Sequence, residues 1–204
     1  MNVLNSIGVL LGATWASGVN LYMTVAGLGI AQRMHWIDLP GEMKVLGHPL
    51  IILTAIILYA VEFVADKIPI VDSIWDSIQT FIRPAAGAVL GFMAFSSAGP
   101  VVQVPVALLS GSVAMDSHLT KATTRVAVNS TMAGANPIAS ITEDVAVAGV
   151  LYLIIKHPVI TAIFVMVFIV FSIWFLAMMF KFMKKVFLFL FWRKGVEPQP
   201  LKSV

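Results

Sequence analysis

Long apolar stretches, interrupted by few charged residues, dominate the chain. The clearest stretch runs from Pro158 to Phe180 without a charge, which is long enough to cross about 30 Å of hydrocarbon as a helix. A second span covers Leu46 to Ala65, with Glu62 near its end. The uncharged segment from Val3 to Gln32 would be about 45 Å long as one straight helix, so it predicts a tilt, an overhang or a break.

Three weaker apolar stretches bring the predicted number of spans to about six. They run from Arg83 to Ser97, from Val101 to Met115 and from Pro137 to Ile155, and the first two are short for full crossings. The pattern from Asp72 to Ile82 predicts an amphipathic helix on the membrane surface, with Asp72 as its N-cap. Residues 186–192, apolar and aromatic between basic residues, predict a second interfacial segment.

These elements define an all-α, polytopic membrane bundle with some spans short or broken. Hydrophobic residues make up 59% of the chain and charged residues 11%, against about 45–50% and 25% in a soluble domain. Residues 1–195 are expected to form a single transmembrane domain and residues 196–204 a short polar cytoplasmic tail, because no linker divides the chain. Cysteine is absent, which excludes thiolate chemistry, and no cofactor is expected.

The basic residues favour one orientation in the membrane. With six crossings and the N-terminus inside, only Arg33, Lys44 and Lys156 lie outside, and the other ten of the 13 basic residues are cytoplasmic. Those ten are Lys67, Arg83, Lys121, Arg125, Lys181, Lys184, Lys185, Arg193, Lys194 and Lys202. This asymmetry predicts cytoplasmic N- and C-termini. It also explains the net charge of +3, so the expected partners are the lipid bilayer, a small ion or solute and further copies of the chain, and not nucleic acid.

Short motifs of the first half recur in the same order in the second, at different spacings. They are Thr14 to Asn20, Val25 to Gly27 and His48-Pro49, followed by Thr131 to Asn136, Val147 to Gly149 and His157-Pro158. Chance is the competing explanation. A true repeat would be parallel, with Gly18 and Gly134 permitting helix breaks and Asn20 and Asn136 presenting amide groups to a ligand. Otherwise the glycines only allow helices to pack closely.

Two pairs of acidic residues lie in or beside the predicted spans. Glu62 and Asp66 are four residues apart on one helix face, so they could hold a cation or relay a proton. Glu143 and Asp144 are adjacent and point about 100° apart on a helix. These four are also the candidates for metal ligands. The competing explanation for Asp66 is solvation or a salt bridge at the interface. For Glu143 and Asp144 it is a structural partner such as Arg83, a residue that commonly snorkels to lipid phosphates.

Two further sets of polar residues have structural interpretations. Capping and a wetted helix face explain Asp72 and Asp76. Capping and turn chemistry explain a short-spaced set, because no nucleophile elbow or H-E-x-x-H motif accompanies it: Ser110, Ser112, Asp116 and His118. The sequence therefore predicts that the protein is not an enzyme.

The block from Glu62 to Gly91, with E-F-V-A-D-K-I-P-I-V-D-S-I-W-D followed by R-P-A-A-G-A, resembles a bacterial membrane family named domain of unknown function 4126. The likeness extends from Gly18 through the Glu143-Asp144 span. It implies a bacterial inner-membrane location and no established activity. The sequence is also similar to cation/proton exchangers with an E-x-G-D-K-type motif, although it has one extra residue and Ala65 in place of glycine.

The leading expectation is a small inner-membrane transporter or ion-conducting protein, coupled to a cation or a proton. Its path would be lined by intramembrane acids and their neighbours: Glu62, Asp66, Glu143, Asp144, Asn20, Asn136 and Arg83. One alternative is a non-catalytic scaffold or assembly subunit, in which buried acids pair with basic groups. Another is a lipid-handling protein, suggested by interfacial Trp75, Phe81 and Trp192.

Overall fold

The computed structural model describes residues 2–131 and 136–193, and in these ranges the regular structure is entirely helical. The α-helices are α1 (Val3–Val19), α2 (Leu21–Arg33), α3 (Pro49–Ala65), α4 (Pro69–Ala94), α5 (Pro100–Thr131), α6 (Asn136–Lys156) and α7 (Pro158–Arg193). Short 3-10 helices at Gly41–Gly47 and Ser96–Ala98 precede α3 and α5. Four of the α-helices begin with proline, whose missing N–H is not needed in the first turn. The tail at residues 196–204 lies outside the described residues.

Several of these helices have the length and composition of membrane spans. Pro137–Lys156 and Pro158–Lys185 are each long and apolar enough to cross a bilayer. The 3-10 helix Gly41–Gly47 and α3, bent by 71°, would together make a third span. Val3–Val19 is apolar but shorter. These helices indicate a membrane protein, although by this measure the described residues hold fewer than the expected six spans.

The α1 and α2 helices form a hairpin. They meet at Asn20, and their directions are fixed by contacts with α6. Along α2, Asn20 reaches Asp144, while a Cβ on Gly27 would lie 2.6 Å from Leu151. The chain therefore advances in α2 and in α6 in the same direction, toward Lys156.

In α1 the chain advances in the opposite direction along α6. A Cβ on Gly12 would lie 2.6 Å from Ile154, and one on Gly8 would lie 2.0 Å from the carbonyl oxygen of Pro158. Both arms of the hairpin therefore lead from the level of Asp144 toward the start of α7. We call this side of the molecule the Pro158 end, and the other side the Asp66 end.

The start of α1 and the segment that follows α2 lie together at the Pro158 end. Val3 and Asp38 line one surface pocket of about 410 Å³. The Lys44 ammonium, 2.8 Å from the Asp38 carboxylate, holds the pKa of Asp38 below its ordinary value through a hydrogen bond, which fits an ion pair in contact with water. Of the three alternatives predicted for Val3 to Gln32, the break is confirmed: it lies at Asn20 and returns the chain to the end where it began.

Three other helix boundaries differ from those expected. α4 begins at Pro69, with Ile68 as its N-cap residue, so Asp72 lies in its first turn and does not cap it. The helix then continues through Pro84, because close packing against α5 holds it in place: a Cβ on Gly87 would lie 2.6 Å from Ala114. In the same way α5 is one helix over Pro100–Thr131, and α7 runs through residues 186–193 without a separate interfacial segment.

The repeated motifs occupy equivalent places in the fold. Asn20 directly precedes α2, and Asn136 is the first residue of α6. His48 and His157 directly precede α3 and α7. Because α2 and α6 also run in the same direction, the arrangement agrees with a parallel repeat. Gly134 lies outside the described residues.

The core between α1 and α7 is aromatic. Trp15 makes edge-to-face contacts with Phe164 and Phe168, with ring centroids 5.2 Å apart in both pairs. Buried Thr161 and Val165 line the same face of α7, whereas large apolar side chains are exposed on its other faces. That division is expected of a helix that faces protein on one side and lipid on the others.

Candidate functional site

Asn20 holds the break at the tip of the hairpin. Its backbone is extended (φ −145°, ψ 99°), and its side-chain Oδ1 accepts a hydrogen bond of 3.0 Å from Met23 N–H, which caps α2. Its Nδ2 donates to Asp144 Oδ1 at 2.9 Å. The break falls after Gly18, which does not form it. Gly18 lies inside α1 and allows close contact with α5, since a Cβ there would lie 2.2 Å from Ala114 O.

Two cationic side chains bind the carbonyl groups at the end of α1. Arg83 Nη1 donates to Gly18 O at 2.9 Å, and Lys121 Nζ donates to Val19 O at 3.2 Å. A helix C-terminus leaves carbonyls unpaired and carries a partial negative charge, so cations stabilise it. The break thereby places the tip of the hairpin directly against ionised groups of α4 and α5.

Arg83 also forms a fully buried ion pair with Glu62, in which neither side chain is exposed. A second Arg83 contact, of 2.9 Å, joins Nη1 to His118 Nδ1, which must accept because guanidinium only donates. On the other side of the ring, His118 Nε2 lies 2.9 Å from Thr80 Oγ1, whose hydroxyl donates to Asp76 O. These contacts fit a neutral His118 with its proton on Nε2.

Arg125 joins carboxylates from α4, from α6 and from Asp66, which directly follows α3. Its guanidinium donates to Asp72, to Asp66 Oδ2 at 2.9 Å and to Glu143 Oε1 at 2.8 Å. Lys121, one turn earlier on α5, lies 3.3 Å from Glu143 Oε2 and 3.7 Å from Asp66 Oδ2. The side chains of Arg125 and Lys121 are 3% and 2% exposed, so both cations are buried, whereas the Glu143 side chain is 17% exposed.

We call the whole assembly the tip cluster. Its members are Asn20, Glu62, Asp66, Asp72, Asp76, Arg83, His118, Lys121, Arg125, Glu143 and Asp144. The six carboxylates outnumber the three cations by three formal negative charges. Within the described residues, the buried atoms Glu62 Oε2, Asp66 Oδ1 and Asp76 Oδ1 have no hydrogen-bond partner. The cluster can therefore accept further positive charge.

Most residues singled out from the sequence come together in this cluster. Asp144, which accepts from Asn20, also accepts from Tyr59 at 3.2 Å. The suggested pairing of Arg83 with Glu143 or Asp144 is wrong, since Arg83 pairs with Glu62 and Glu143 pairs with basic residues of α5. Asn136 begins α6, but its side chain is not among those described. Among the described residues, no group of three or more ligand side chains could hold a metal ion.

Five members of the cluster were given other interpretations from the sequence. The carboxylates are not on a wetted face: Asp72 is 4% exposed, and the Asp76 side chain is 14% exposed. The basic pair Lys121 and Arg125 is buried against these carboxylates, and His118 is fully buried. The sequence did contain one signal for four of these residues. Asp72 and Asp76 are four residues apart, as are Lys121 and Arg125, and this spacing places each pair on one helix face.

The fold and the cluster define a class of protein: a helical membrane protein with a broken hairpin whose tip meets a buried charge network. Residues 7–178 match the family described as Domain of unknown function (DUF4126), and the chain belongs to that family. No curated protein and no solved structure matches the chain.

Proposed function

We propose that the protein is a small transporter coupled to a proton or a monovalent cation, which binds at the tip cluster. The observation that supports this most directly is the excess of carboxylates over cations in the tip cluster, beside a helix break, together with buried carboxylate oxygens that lack hydrogen-bond partners. Ionisable groups at membrane depth are costly and usually serve ion pathways. Broken helices that meet near the middle of the membrane are common in secondary transporters.

The hairpin gives the site a part that could respond to an added charge. Arg83 and Lys121 are each shared between α1 carbonyls and carboxylates of other helices. Neutralising Glu62 or Asp66 by a bound cation weakens its hold on the neighbouring basic group. The balance between the carbonyls and the carboxylates then changes, and the hairpin tip moves relative to α3 and α5.

The topology that fits this proposal has five crossings, α3 to α7, and a re-entrant hairpin of α1 and α2. α4 and α5 are not among the helices apolar enough to be recognised as spans, and most of their charged residues pair within the tip cluster. In α4 the pairs involve Asp72 and Arg83; in α5 they involve Lys121 and Arg125. Paired and buried, such groups are compatible with membrane depth.

The orientation follows from the basic residues that remain outside the cluster. At the Asp66 end these are Lys67 and the group Lys181, Lys184 and Lys185, which favours a cytoplasmic Asp66 end in a bacterial inner membrane. The start of α1, at the Pro158 end, then faces the opposite side, where Arg33, Lys44 and Lys156 also lie. This proposal replaces the expectation that both termini are cytoplasmic.

Proton and cation flux into proteoliposomes tests the proposed function. The purified protein and Glu62→Gln are compared under an imposed pH gradient, with sodium or potassium present in turn. Flux is expected from the native chain and at least about tenfold less from the variant, because the amide cannot take up or release a proton. Glu42→Gln is the matched control, since the exposed Glu42 lies in the 3-10 helix at the Pro158 end.

Equal flux from the native chain and from Glu62→Gln would refute Glu62 as the coupling residue. No flux for any ion would favour the second candidate, a membrane scaffold. The observation favouring that candidate is that Arg83, Lys121 and Arg125 are all paired, as in a purely structural network. A scaffold predicts a stoichiometric partner that co-purifies with the native chain and with the Glu62→Gln variant alike.

A further inference from the structure

A groove between α4 and α5 lies outside the tip cluster. It has a volume of about 570 Å³, within the range of about 300–1,000 Å³ that small-molecule sites occupy. Its lining is mostly apolar and includes Pro84, Ala85, Ala88 and Leu108. The one acidic side chain in the lining is Asp116, and we call the feature the Asp116 groove.

Asp116 has little local support for a negative charge. Ser172 Oγ on α7 donates to Asp116 Oδ2 at 2.6 Å. In residues 2–131 and 136–193, no basic side chain lies within salt-bridge distance of Asp116. The carboxylate is half-buried, and it belongs neither to the tip cluster nor to the route proposed for the coupling ion.

On the topology proposed above, the groove opens toward the bilayer at a depth where charges are costly. Asp116 lies about 24 Å along α5 from Pro100, far from the Pro158 end. Around it the surface is apolar, with Leu108 68% exposed and Leu119 39% exposed. A carboxylate in this setting is an expensive feature that a bound cation would stabilise.

We propose that the Asp116 groove binds lipophilic cations, such as organic ammonium or phosphonium compounds, that enter from the bilayer. The cationic centre lies beside Asp116, and its apolar substituents lie against Ala88 and Leu108. A lipid acyl chain would fill the groove but bring no charge to the carboxylate. A second copy of the chain would not bring a positive charge to Asp116 either, because the basic residues described outside the tip cluster lie toward the two ends of the molecule.

Equilibrium dialysis of the full chain in nanodiscs of zwitterionic lipid tests this proposal. The probes are tetraphenylphosphonium and tetraphenylborate, which share a shape and carry opposite charges. In weakly alkaline buffer we expect saturable binding of the phosphonium and none of the borate. Asp116→Asn should weaken phosphonium binding at least about tenfold, because the amide keeps the size of the side chain and removes its charge.

Two variants separate charge from shape and from folding. Ala85→Phe fills the groove without changing charge and should also weaken phosphonium binding. Ser172→Ala keeps the carboxylate and should bind within a few-fold of the native chain. Each variant is checked for helix content by circular dichroism and for monodispersity by size-exclusion chromatography.

The variant Glu62→Gln separates this site from the proposed transport site. It should bind the phosphonium like the native chain, even if it carries no ion flux. Equal phosphonium binding by the native chain and Asp116→Asn would overturn the proposal, as would equal binding of the borate. A dimer or a retained lipid that Ala85→Phe disrupts, in the absence of phosphonium binding, would assign the groove to that occupant and overturn it as well.

Discussion

At the scale of single residues, Arg125 shows why this network needs a guanidinium group. Its donors diverge in a plane, so one side chain can reach Asp66 after α3, Asp72 on α4 and Glu143 on α6. A lysine ammonium is a point charge and cannot match these directions. Lys121, in contrast, stands among its carboxylates at 3.3 Å or more and donates to a backbone carbonyl.

Removing the charge of Arg125 should strongly destabilise the protein. In Arg125→Met, Asp66 and Asp72 lose this partner while remaining buried, and the partly buried Glu143 loses it too, which should lower the free energy of unfolding by about 3 kcal/mol or more. Arg125→Lys should fall between that variant and the native chain. The measurement is denaturant unfolding in detergent micelles, followed by circular dichroism.

Lys44→Met is the control for this comparison, because it breaks the ion pair with Asp38 in which both side chains are more than half exposed. That change should cost no more than about 1 kcal/mol. If Arg125→Met unfolds at the same denaturant concentration as Lys44→Met, the buried network does not stabilise the fold.

At the scale of helices, the sequence predicted the helices that are marked by a long apolar run, and it missed boundaries that depend on packing against other helices. The apolar run after Pro158 identified α7, and the excessive length of the Val3 to Gln32 segment allowed for a break. The position of this break was predicted at Gly18, because glycine has the lower helix propensity. The break is at Asn20, which can cap the next helix and bind Asp144.

The tip cluster was half predicted for a related reason. Glu62 and Glu143 stood out because acids are rare in apolar spans. Lys121 and Arg125 did not, because basic residues near a span are ordinarily explained by membrane orientation. Their burial depends on long-range pairing with α3 and α6, which no local pattern in one sequence reveals.

Alanine should have opposite effects on stability at two helical glycines, because Gly18 lies where α1 and α5 approach closely and Gly149 on α6 faces open space. In Gly18→Ala the new Cβ would lie 1.9 Å from Ser117 Oγ and 2.2 Å from Ala114 O, so the helices must separate. Such overpacking should cost about 1–3 kcal/mol in unfolding free energy. In Gly149→Ala nothing lies within 4 Å of the new Cβ, so the variant should gain about 0.5–1 kcal/mol from its higher helix propensity.

Thermal unfolding in the same detergent measures both glycine variants against the native chain. Equal stability of Gly18→Ala and Gly149→Ala would mean that α1 does not pack on α5 through Gly18. A reduced ion flux in Gly18→Ala at a temperature where it remains folded would further connect hairpin position to the proposed transport.

At the scale of the whole molecule, the hairpin changes the membrane topology that the charges imply. Arg83, Lys121 and Arg125 belong to the tip cluster, so they no longer report on orientation. The remaining basic residues still favour a cytoplasmic Asp66 end. Because α1 begins and α2 ends at the Pro158 end, the start of α1 and the C-terminal part of α7 are expected on opposite sides of the membrane.

Cysteine labelling can test this topology directly. The native chain has no cysteine, so it serves as the unlabelled control. Single cysteines replace Val3, Asp38 and Lys184, all of which are exposed. In intact cells a membrane-impermeant maleimide should label Val3→Cys and Asp38→Cys, and should label Lys184→Cys only after the membrane is opened. If Val3→Cys and Asp38→Cys were instead labelled from opposite sides, α1 and α2 would form a single crossing, and the tip of a hairpin could not be the coupling site.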